Sequence, residues 1–177
     1  MDADRLVPMF DEATIAARVR ELAARIRADH LDTPLLFICV LKGSILFCAD
    51  LMRALGDHHV EVAFLAVKSY EGTRSTGSVR LIHDLDISIE DRHCIIVEDI
   101  VDTGLTLNYL RNTLELRNPA SLKIVSLLDK PERRKVAIEP DYVGFVIPDR
   151  FVIGYGLDFD ERYRNLPYVA VYQGDAS

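Results

Sequence analysis

The 177-residue chain contains no tryptophan and only three cysteines. Cys39, Cys48 and Cys94 lie in apolar stretches and form no C-x-x-C pair, so neither a disulfide framework nor a zinc knuckle is expected. The longest apolar run, Leu35 to Leu41, is too short to span a bilayer, and the first residues lack the basic flank of a secretory signal. We therefore expect a cytoplasmic protein with no membrane partner, folded as a single domain over residues 1–177.

Basic residues are also in short supply. The chain has 21 Lys and Arg against 28 Asp and Glu, which gives a formal net charge of −7. General nucleic-acid binders depend on Lys and Arg to neutralise phosphates, so a nucleic-acid partner is not expected. A small phosphorylated ligand remains compatible with this composition because only the local charge matters for such a ligand.

The apolar pattern predicts an α/β fold. Continuous apolar runs such as Leu35 to Val40 are typical of strands buried on both faces of a parallel sheet, and helical spacing separates them. Helices are predicted for Asp11–Asp29, for Ile45–Leu55 and for a segment from about Leu107 to Leu114. Strands are predicted for Leu35–Val40, Val60–Val67, Cys94–Val97, Leu122–Leu128 and Val143–Ile147.

Three details complete this prediction. Ser44 is a candidate N-cap for the second helix, and Gly56 is a candidate stop. Residues Glu71 to Ser78 contain two glycines, four hydroxyl side chains and no hydrophobic anchor, which predicts a mobile exposed loop. The Gly-rich aromatic stretch from Phe151 to Tyr163 is expected to form an irregular cap over the sheet.

The most informative segment is Ile95 to Leu107, with the sequence IIVEDIVDTGLTL. A β-branched strand leads into Glu98 and Asp99, and a short polar turn then leads into a helix. Ligands of open α/β sheets bind at the carboxyl ends of the strands, which would place the two acids at the expected site. The turn would offer hydroxyls and free N–H groups to a phosphate at a helix N-terminus. The pattern indicates a sugar phosphate whose diol faces the acids.

Other interpretations of this segment exist. Asp99 or Asp102 could simply cap the following helix, and on spacing alone that interpretation is as good as a functional one. A nucleoside-triphosphate loop would end in Gly-Lys-Ser/Thr, and a dinucleotide fold would contain G-x-G-x-x-G. Neither pattern occurs in the sequence.

Several motifs together resemble one family. VEDIVDTGLTL, Val97 to Leu107, is similar to the phosphoribosyl-pyrophosphate signature of type I phosphoribosyltransferases, and its two leading acids resemble the hypoxanthine-guanine branch. Further motifs agree in order along the chain: LKGS at 41–44, KSY at 68–70, LLDKPERR at 127–134 and IPDRFVIGYGLDFDERYRNLPY at 147–168.

This resemblance implies the type I phosphoribosyltransferase fold, a twisted and mainly parallel sheet flanked by helices. It also implies a flexible loop over about residues 69–80 and a small hood built from about residues 147–177 plus N-terminal residues. The implied reaction transfers 5-phosphoribose from phosphoribosyl pyrophosphate to N9 of hypoxanthine, guanine or xanthine, with Mg²⁺, in purine salvage. Relatives of this kind assemble as homodimers or homotetramers.

The resemblance also implies residues that bind phosphoribosyl pyrophosphate. Glu98 and Asp99 would bind the ribose hydroxyls, and Asp102 would be the general base. Leu105 stands where some relatives carry lysine or asparagine, so it would contribute only its backbone N–H. The full implied set is Lys42, Gly43, Glu98, Asp99, Asp102, Thr103, Gly104, Leu105, Thr106 and Arg164.

The remaining implied residues concern the base, the metal and the loop. Lys130 would donate to the purine O6, Phe151 would stack on the ring, and the backbone of Val152 would bond its edge. Asp158 would be a further residue of the purine site; it would also lie near the pyrophosphate and, with Glu98 and Asp99, would hold the metal. Ser69 and Tyr70 would open the loop that closes over the reacting atoms.

Two rival functions remain at this point. One is a regulatory protein of the same fold that binds pyrimidine nucleotides and RNA, for which a basic RNA-binding face would be expected. The other is a phosphoribosyltransferase for adenine, orotate or uracil, and Lys130 argues against adenine because a lysine suits a 6-oxo acceptor.

Overall fold

The computed structural model describes the backbone of residues 6–72 and 75–173, and it describes the side chains of these residues except those of 69–72 and 75–78. The helices are α1 (Glu12–His30), α2 (Ile45–Ala54) and α3 (Leu105–Glu115), with a short 3₁₀ turn at Pro131–Arg133. The strands are β1 (Leu6–Phe10), β2 (Leu35–Leu41), β3 (Val60–Gly72), β4 (Ser75–His83), β5 (His93–Val101), β6 (Ser121–Asp129), β7 (Tyr142–Val146), β8 (Val152–Ile153) and β9 (Val169–Tyr172).

The central sheet has six strands in the order β4-β3-β2-β5-β6-β7. All neighbouring strands are parallel except β4, which runs antiparallel to β3 at one edge. β2 is buried on both faces: Leu35, Phe37 and Cys39 belong to one hydrophobic cluster, and Leu36 and Ile38 belong to the other. The predicted α/β class and mainly parallel sheet are confirmed.

Helices cover both faces of this sheet. The apolar stripe of α1, for example Ile15 and Leu22, packs with Phe47 of α2 on one face. Leu107 and Leu110 of α3 pack on the other face. Asp11 begins α1 by accepting a 2.7 Å hydrogen bond from the Thr14 N–H, a common N-cap arrangement.

A second, three-stranded sheet in the order β1-β9-β8 is antiparallel and joins the two ends of the chain. The prediction of an irregular cap was therefore incomplete, because β8 lies within the stretch expected to be irregular. β1 was not predicted at all: it is short and contains Pro8, and its partner is distant in sequence. The ring of Phe10 stacks on Phe145 of the central sheet, with centroids 4.0 Å apart.

The strand-to-loop boundary after Val67 was also placed wrongly. β3 continues to Gly72, and its backbone pairs with β4, with Ser69 opposite Val79 and Tyr70 opposite Ser78. Hydroxyl and aromatic residues suit an extended edge hairpin even without a hydrophobic anchor. Residues 73–74 lie outside the described residues, and mobility of this segment stays a prediction.

Ser44 occupies the N-cap position of α2, as predicted, but its side chain makes no capping hydrogen bond. Its backbone is helical rather than extended, and its hydroxyl donates to the Val40 carbonyl oxygen at 2.6 Å. Gly56 does follow the helix in the left-handed region, at φ 64°. The three cysteines are free and buried, as expected. Across residues 6–72 and 75–173, no helix has both the length and the apolar character needed to cross a membrane.

Candidate active site

A cavity of about 260 Å³ opens beside the C-terminal ends of β2 and β5. The end of β5 and the turn before α3 contribute most of its wall. Its lining residues are Val40, Leu41, Gly43, Val67, Glu98, Asp99, Ile100, Val101, Asp102, Thr103, Gly104, Thr106 and Leu107. The carboxyl ends of parallel strands are where α/β proteins bind their ligands, so this cavity is the candidate active site.

Two adjacent acids on β5 line the cavity. Glu98 is only 7% exposed, and burial raises its pKa well above the usual range, helped by the neighbouring charge of Asp99. Burial likewise raises the pKa of Asp99 to about 6, although its Oδ1 accepts a hydrogen bond from the Ile100 N–H at 2.7 Å. Both acids therefore favour protonation, or a ligand or cation that compensates their charge.

The turn after β5 lines the cavity and leads directly into the N-terminus of α3. Gly104 is the residue before α3 and has a φ of 81°, in the left-handed region where side chains are strained. A Cβ there would also lie 2.7 Å from Ile138 Cγ2. Thr103 and Thr106 flank it, and Leu105 begins the helix, so the turn has the form of a phosphate cradle at a helix N-terminus.

Arg134 holds this turn from behind. Its Nη1 donates to the carbonyl oxygens of Val101 and Asp102 at 3.1 and 2.6 Å, and its Nε donates to the Ile138 carbonyl oxygen at 3.0 Å. Its Nη2 pairs with the Asp129 carboxylate, and the two side chains are only 15% and 11% exposed. A single, partly buried guanidinium thereby fixes the backbone of the cradle.

The turn after β2 packs closely against the acids. The Leu41–Lys42 peptide bond is cis. A Cβ on Gly43 would collide with the Asp99 carboxylate, and a Cβ on Gly156 would collide with the Gly43 carbonyl oxygen. Neither Gly43 nor Gly156 has room for a side chain. The turn at Gly43 therefore lies in direct contact with Asp99 on one side and with the segment around Gly156 on the other.

Lys42 and Arg164 meet at one acidic side chain. Lys42 Nζ lies 2.9 Å from Glu161 Oε2, and Arg164 Nη2 lies 3.2 Å from Glu161 Oε1. Arg164 Nη2 also pairs with Asp158 Oδ1 at 2.9 Å, and its Nη1 donates to the Gly156 carbonyl oxygen at 2.7 Å. The hydrogen bond from Lys42, followed by that from Arg164, lowers the pKa of Glu161.

Lys130 and Asp102 are connected through two further charged side chains. Arg133 Nε donates to Asp102 Oδ1 at 2.8 Å, and Arg133 Nη1 donates to Asp149 Oδ2 at 3.2 Å. Asp149 Oδ1 in turn lies 3.5 Å from Lys130 Nζ. Asp102, and secondarily Asp149, raise the pKa of the Arg133 guanidinium. The backbone joins the same regions, because the Lys130 N–H donates to the Val101 carbonyl oxygen at 2.9 Å.

Phe151 belongs to an aromatic cluster beside β8 and β9. Its ring meets Phe159 and Tyr172 edge-on, with centroids 5.8 and 6.1 Å away, while Phe159 and Tyr172 stack at 4.7 Å. Phe151 is 44% exposed, so one face of the ring can receive a ligand. Val152 is buried on β8, an edge strand of the small sheet.

The predicted residues fall into four groups. Gly43 and residues 98, 99, 102–104 and 106 share the cavity wall, whereas Leu105 begins α3 without lining the cavity. Lys42, Asp158 and Arg164 form the ion-pair cluster around Glu161. Lys130 reaches Asp102 through Arg133 and Asp149. Phe151 shares a surface pocket with Asp149, and Val152 follows it as a buried residue of β8. The predicted roles of Ser69 and Tyr70 concern side chains that lie outside the described ones.

The sequence prediction missed four functional candidates: Arg133, Arg134, Asp149 and Glu161. The arginines lie inside the quoted LLDKPERR motif, and the acids lie inside the C-terminal motif, so a motif-wide search for charged pairs could have found them. The pairs themselves are distant in sequence, for example Lys42 with Glu161, and spacing gives no signal for such contacts.

The buried acids also bear on the expected metal. Within the described ranges, no three His, Cys, Asp or Glu side chains converge as a metal cage. Mg²⁺ is commonly held by one or two carboxylates together with water and substrate phosphates. Glu98 and Asp99 fit that arrangement because they are adjacent carboxylates on the cavity wall, and burial raises the pKa of both, so a cation would offset a charge that burial disfavours. Asp158 fits less well, since its two oxygens already accept from Arg164 and the Glu161 N–H.

Comparison with known proteins places this site in context. Residues 9–160 match the model of the phosphoribosyl transferase domain. The chain is 49% identical over 164 residues to the hypoxanthine-guanine phosphoribosyltransferase of Bacillus subtilis, covering 92% of this chain and 91% of the relative. It is 45% identical over 168 residues to the enzyme of the same name from Streptococcus mutans, covering 94% and 93%.

Solved structures agree. A hypoxanthine phosphoribosyltransferase from Staphylococcus aureus superposes with a TM-score of 0.90 at 46% identity, covering 96% of this chain and 92% of that one. One from Trypanosoma cruzi, solved as a ternary substrates complex, gives 0.87 at 48% identity, covering 93% and 94%.

Proposed function

Because the chain belongs to the phosphoribosyl transferase family, we propose that the cavity beside β2 and β5 is where it transfers 5-phosphoribose from phosphoribosyl pyrophosphate to N9 of hypoxanthine or guanine. The N9–C1′ bond forms, the bond from C1′ to pyrophosphate breaks, and the products are IMP or GMP and pyrophosphate. The observation that carries the assignment of the site is the common wall formed by Glu98, Asp99 and the turn from Asp102 to Thr106.

The donor binds across the C-terminal ends of the strands. The 5′-phosphate lies in the cradle of residues 102–106, where the N–H groups at the start of α3 and the two threonine hydroxyls favour an anion. Glu98 and Asp99 accept hydrogen bonds from the ribose hydroxyls. Lys42 and Arg164 bind the leaving pyrophosphate, and the backbone N–H of Gly43 assists them.

Asp102 is the general base for the purine. It lines the donor cavity, and its Oδ1 is fixed by Arg133 at 2.8 Å. From there the carboxylate accepts the proton of the purine N7 as N9 bonds to C1′, a role that depends on hydrogen-bond reach.

Lys130 selects the base. Its side chain is 8% exposed, so an ammonium group that meets no acceptor on the ligand would be costly. A 6-oxopurine offers the O6 acceptor, whereas the 6-amino group of adenine offers a donor. Phe151 stacks on the ring through its exposed face, and the free edge of β8 lets the Val152 backbone bond the purine edge. Xanthine carries the same O6 and is included as a candidate substrate.

Magnesium belongs to this proposal. Glu98 and Asp99 would hold it, with Asp158 nearby, and when bound it would neutralise the negative charge of the pyrophosphate. The protein side chains still have to orient the donor and exclude water. Ser69 and Tyr70 open the segment expected to close over the reacting atoms, because an open site would hydrolyse the activated sugar. A cytoplasmic location, a homodimeric or homotetrameric state and the absence of a nucleic-acid partner stay predictions from the sequence.

A pyrophosphate-release assay tests the function. With phosphoribosyl pyrophosphate and Mg²⁺ present, hypoxanthine, guanine, xanthine and adenine are compared at equal concentrations. We expect release with hypoxanthine and guanine, and none above background with adenine. An RNA gel shift run in parallel addresses the regulatory alternative: RNA binding without turnover on any purine would overturn the proposal.

A further inference from the structure

Four charged side chains form a continuous chain of alternating sign along the base end of the site. We name Asp102, Arg133, Asp149 and Lys130 the base-edge chain. Its links are 2.8, 3.2 and 3.5 Å long, in that order. Its two ends are the residues that the proposed function assigns to the purine N7 and O6, and its two central members have no role in that assignment.

Arg133 is placed to act on both ends together. It is the third residue after Lys130, and its N–H donates to the Lys130 carbonyl oxygen at 3.1 Å, so one short turn carries both cations. Its guanidinium uses Nε for Asp102 and Nη1 for Asp149. A planar guanidinium with several fixed donors can hold two carboxylates in a defined geometry, which a lysine cannot do.

The arrangement leaves the reacting oxygen of Asp102 available. Oδ1 accepts the hydrogen bond from Arg133, and within the described residues Oδ2 accepts none from the protein. Asp149 likewise uses one oxygen for each partner: Oδ2 accepts from Arg133, and Oδ1 pairs with the nearly buried ammonium of Lys130. The chain can therefore fix both end groups while Asp102 Oδ2 and the remaining N–H donors of the Lys130 ammonium stay available to a purine.

We propose that Arg133 is a positioning residue that acts through Asp102 and Asp149 to set the relative placement of the two groups recognising the N7 and O6 edge of the purine. This inference rests on the proposed function. An isolated ion pair between half-exposed side chains contributes little to folding stability. The effect of Arg133 is instead expected in catalysis, because a small misplacement of a reacting group lowers the rate steeply.

The main test is the kinetics of Arg133→Gln. Glutamine keeps a hydrogen-bonding side chain but lacks the positive charge and the several fixed donors of the guanidinium. We expect kcat/KM for hypoxanthine to fall by about tenfold, while KM for phosphoribosyl pyrophosphate stays within about twofold of wild type. Arg133→Lys should recover only part of the loss, since one ammonium cannot serve both acids. A purely structural role would change the KM values of both substrates and the melting temperature together.

Arg111→Gln is the matched control. Arg111 Nε donates to Glu115 Oε1 at the same 2.8 Å, and its side chain is 45% exposed against 44% for Arg133. Arg111 lies on α3 and has no place in the proposed site. We expect its kinetics to stay within about twofold of wild type, and both variants to melt within about 2 °C of it.

A double-mutant cycle with Asp149→Asn tests the connection to Lys130. If the two central residues act as one unit, the double variant loses little more than the worse single variant, and the preference for hypoxanthine over adenine falls in each. An Arg133→Gln enzyme within about twofold of wild type, or losses that simply multiply, would overturn the inference. If the wild type is active, these two outcomes contradict only the role of Arg133 and leave the proposed function intact. A wild type that is inactive on every 6-oxopurine would instead contradict the proposed function itself.

Discussion

The donor end and the base end of this site are built in different ways. The donor end consists of the buried carboxylate of Glu98 and the partly buried one of Asp99, glycines with no room for a side chain, and backbone N–H groups at the start of α3. The base end consists of half-exposed ion pairs and an open aromatic cluster. A rigid cradle suits a ligand that is always the same sugar phosphate, while exchangeable side chains suit a choice among related bases.

The adjacent residues Arg133 and Arg134 show this difference at close range. Arg134 is largely shielded, with its side chain 15% exposed, and donates to three backbone carbonyl oxygens, so it supports the cradle. Arg133 is half-exposed and bonds two carboxylates at the base end. One arginine therefore maintains the shape of the donor end, and its neighbour organises charge at the base end.

The largest expected effect comes from Asp102, where the two ends meet. Asp102→Ala should lower kcat by about 10²- to 10⁴-fold because the purine loses its general base. Pyrophosphate release with hypoxanthine measures this loss. The control is Asp84→Ala, since Asp84 also accepts from an arginine at 2.8 Å but lies outside the site. Full activity of Asp102→Ala would show that the base is another group.

Arg134→Met should cost folding stability rather than specificity. The Asp129 carboxylate would lose its guanidinium partner while nearly buried, and removing one member of a buried ion pair costs about 3 kcal/mol. Urea unfolding measures the change, with Arg133→Gln as the neighbouring control that should unfold close to wild type. If the two variants were equally stable, the claim that Arg134 supports the fold and Arg133 does not would be wrong.

Asp99→Asn should weaken the binding of phosphoribosyl pyrophosphate and raise the free energy of unfolding. Burial raises the pKa of Asp99 to about 6, so the folded state binds this proton more tightly than the unfolded state and loses stability as pH rises from about 4 to 6. Asparagine avoids that loss, and the free protein should gain about 1 to 2 kcal/mol above pH 6 and nothing below about pH 4. Thermal melting across this range checks the sign, and KM for phosphoribosyl pyrophosphate should rise.

A variant that is no more stable at pH 8 than wild type would contradict the burial of this charge. A rise in KM for hypoxanthine alone would contradict the assignment of Asp99 to the donor end.

Glu161→Gln should have the smallest effect. Its carboxylate pairs with both cations proposed to bind pyrophosphate, so removing its charge should lower KM for phosphoribosyl pyrophosphate by about two- to fivefold. Steady-state kinetics with the donor varied would detect this. Glu115→Gln, an exposed acid paired with Arg111, is the control. A higher KM would mean that Glu161 orders Lys42 and Arg164 for the ligand.

The central framework of the fold could be predicted from the sequence because it depends on local patterns. Continuous apolar runs identified β2 and the core of β5, and helical spacing identified α1 and α3. β1 escaped prediction because its partner β9 is at the far end of the chain, and a five-residue segment with a proline has no period of its own. Residues 71–72 and 75–78 were expected in a loop but end β3 and begin β4, because backbone pairing between these two strands keeps them extended.

The candidate site was predicted in the same uneven way. Glu98, Asp99 and the turn to Thr106 lie in one continuous segment, so their joint position follows from a strand ending at a helix. Arg133 and Asp149 were not predicted, because their importance comes from partners at distant positions such as Asp102. Lys130 and Phe151 were found only through the family resemblance, since a lysine before a proline and an aromatic beside a valine are ordinary surface and core features.

The measurement that tests the account most directly is the preference for hypoxanthine over adenine in wild type and in Lys130→Met. The account predicts that wild type releases pyrophosphate with hypoxanthine and not with adenine, and that Lys130→Met loses most of its kcat/KM for hypoxanthine while KM for phosphoribosyl pyrophosphate stays within about twofold. A Lys130→Met enzyme that keeps the wild-type preference, or a wild type that uses adenine equally well, would contradict it.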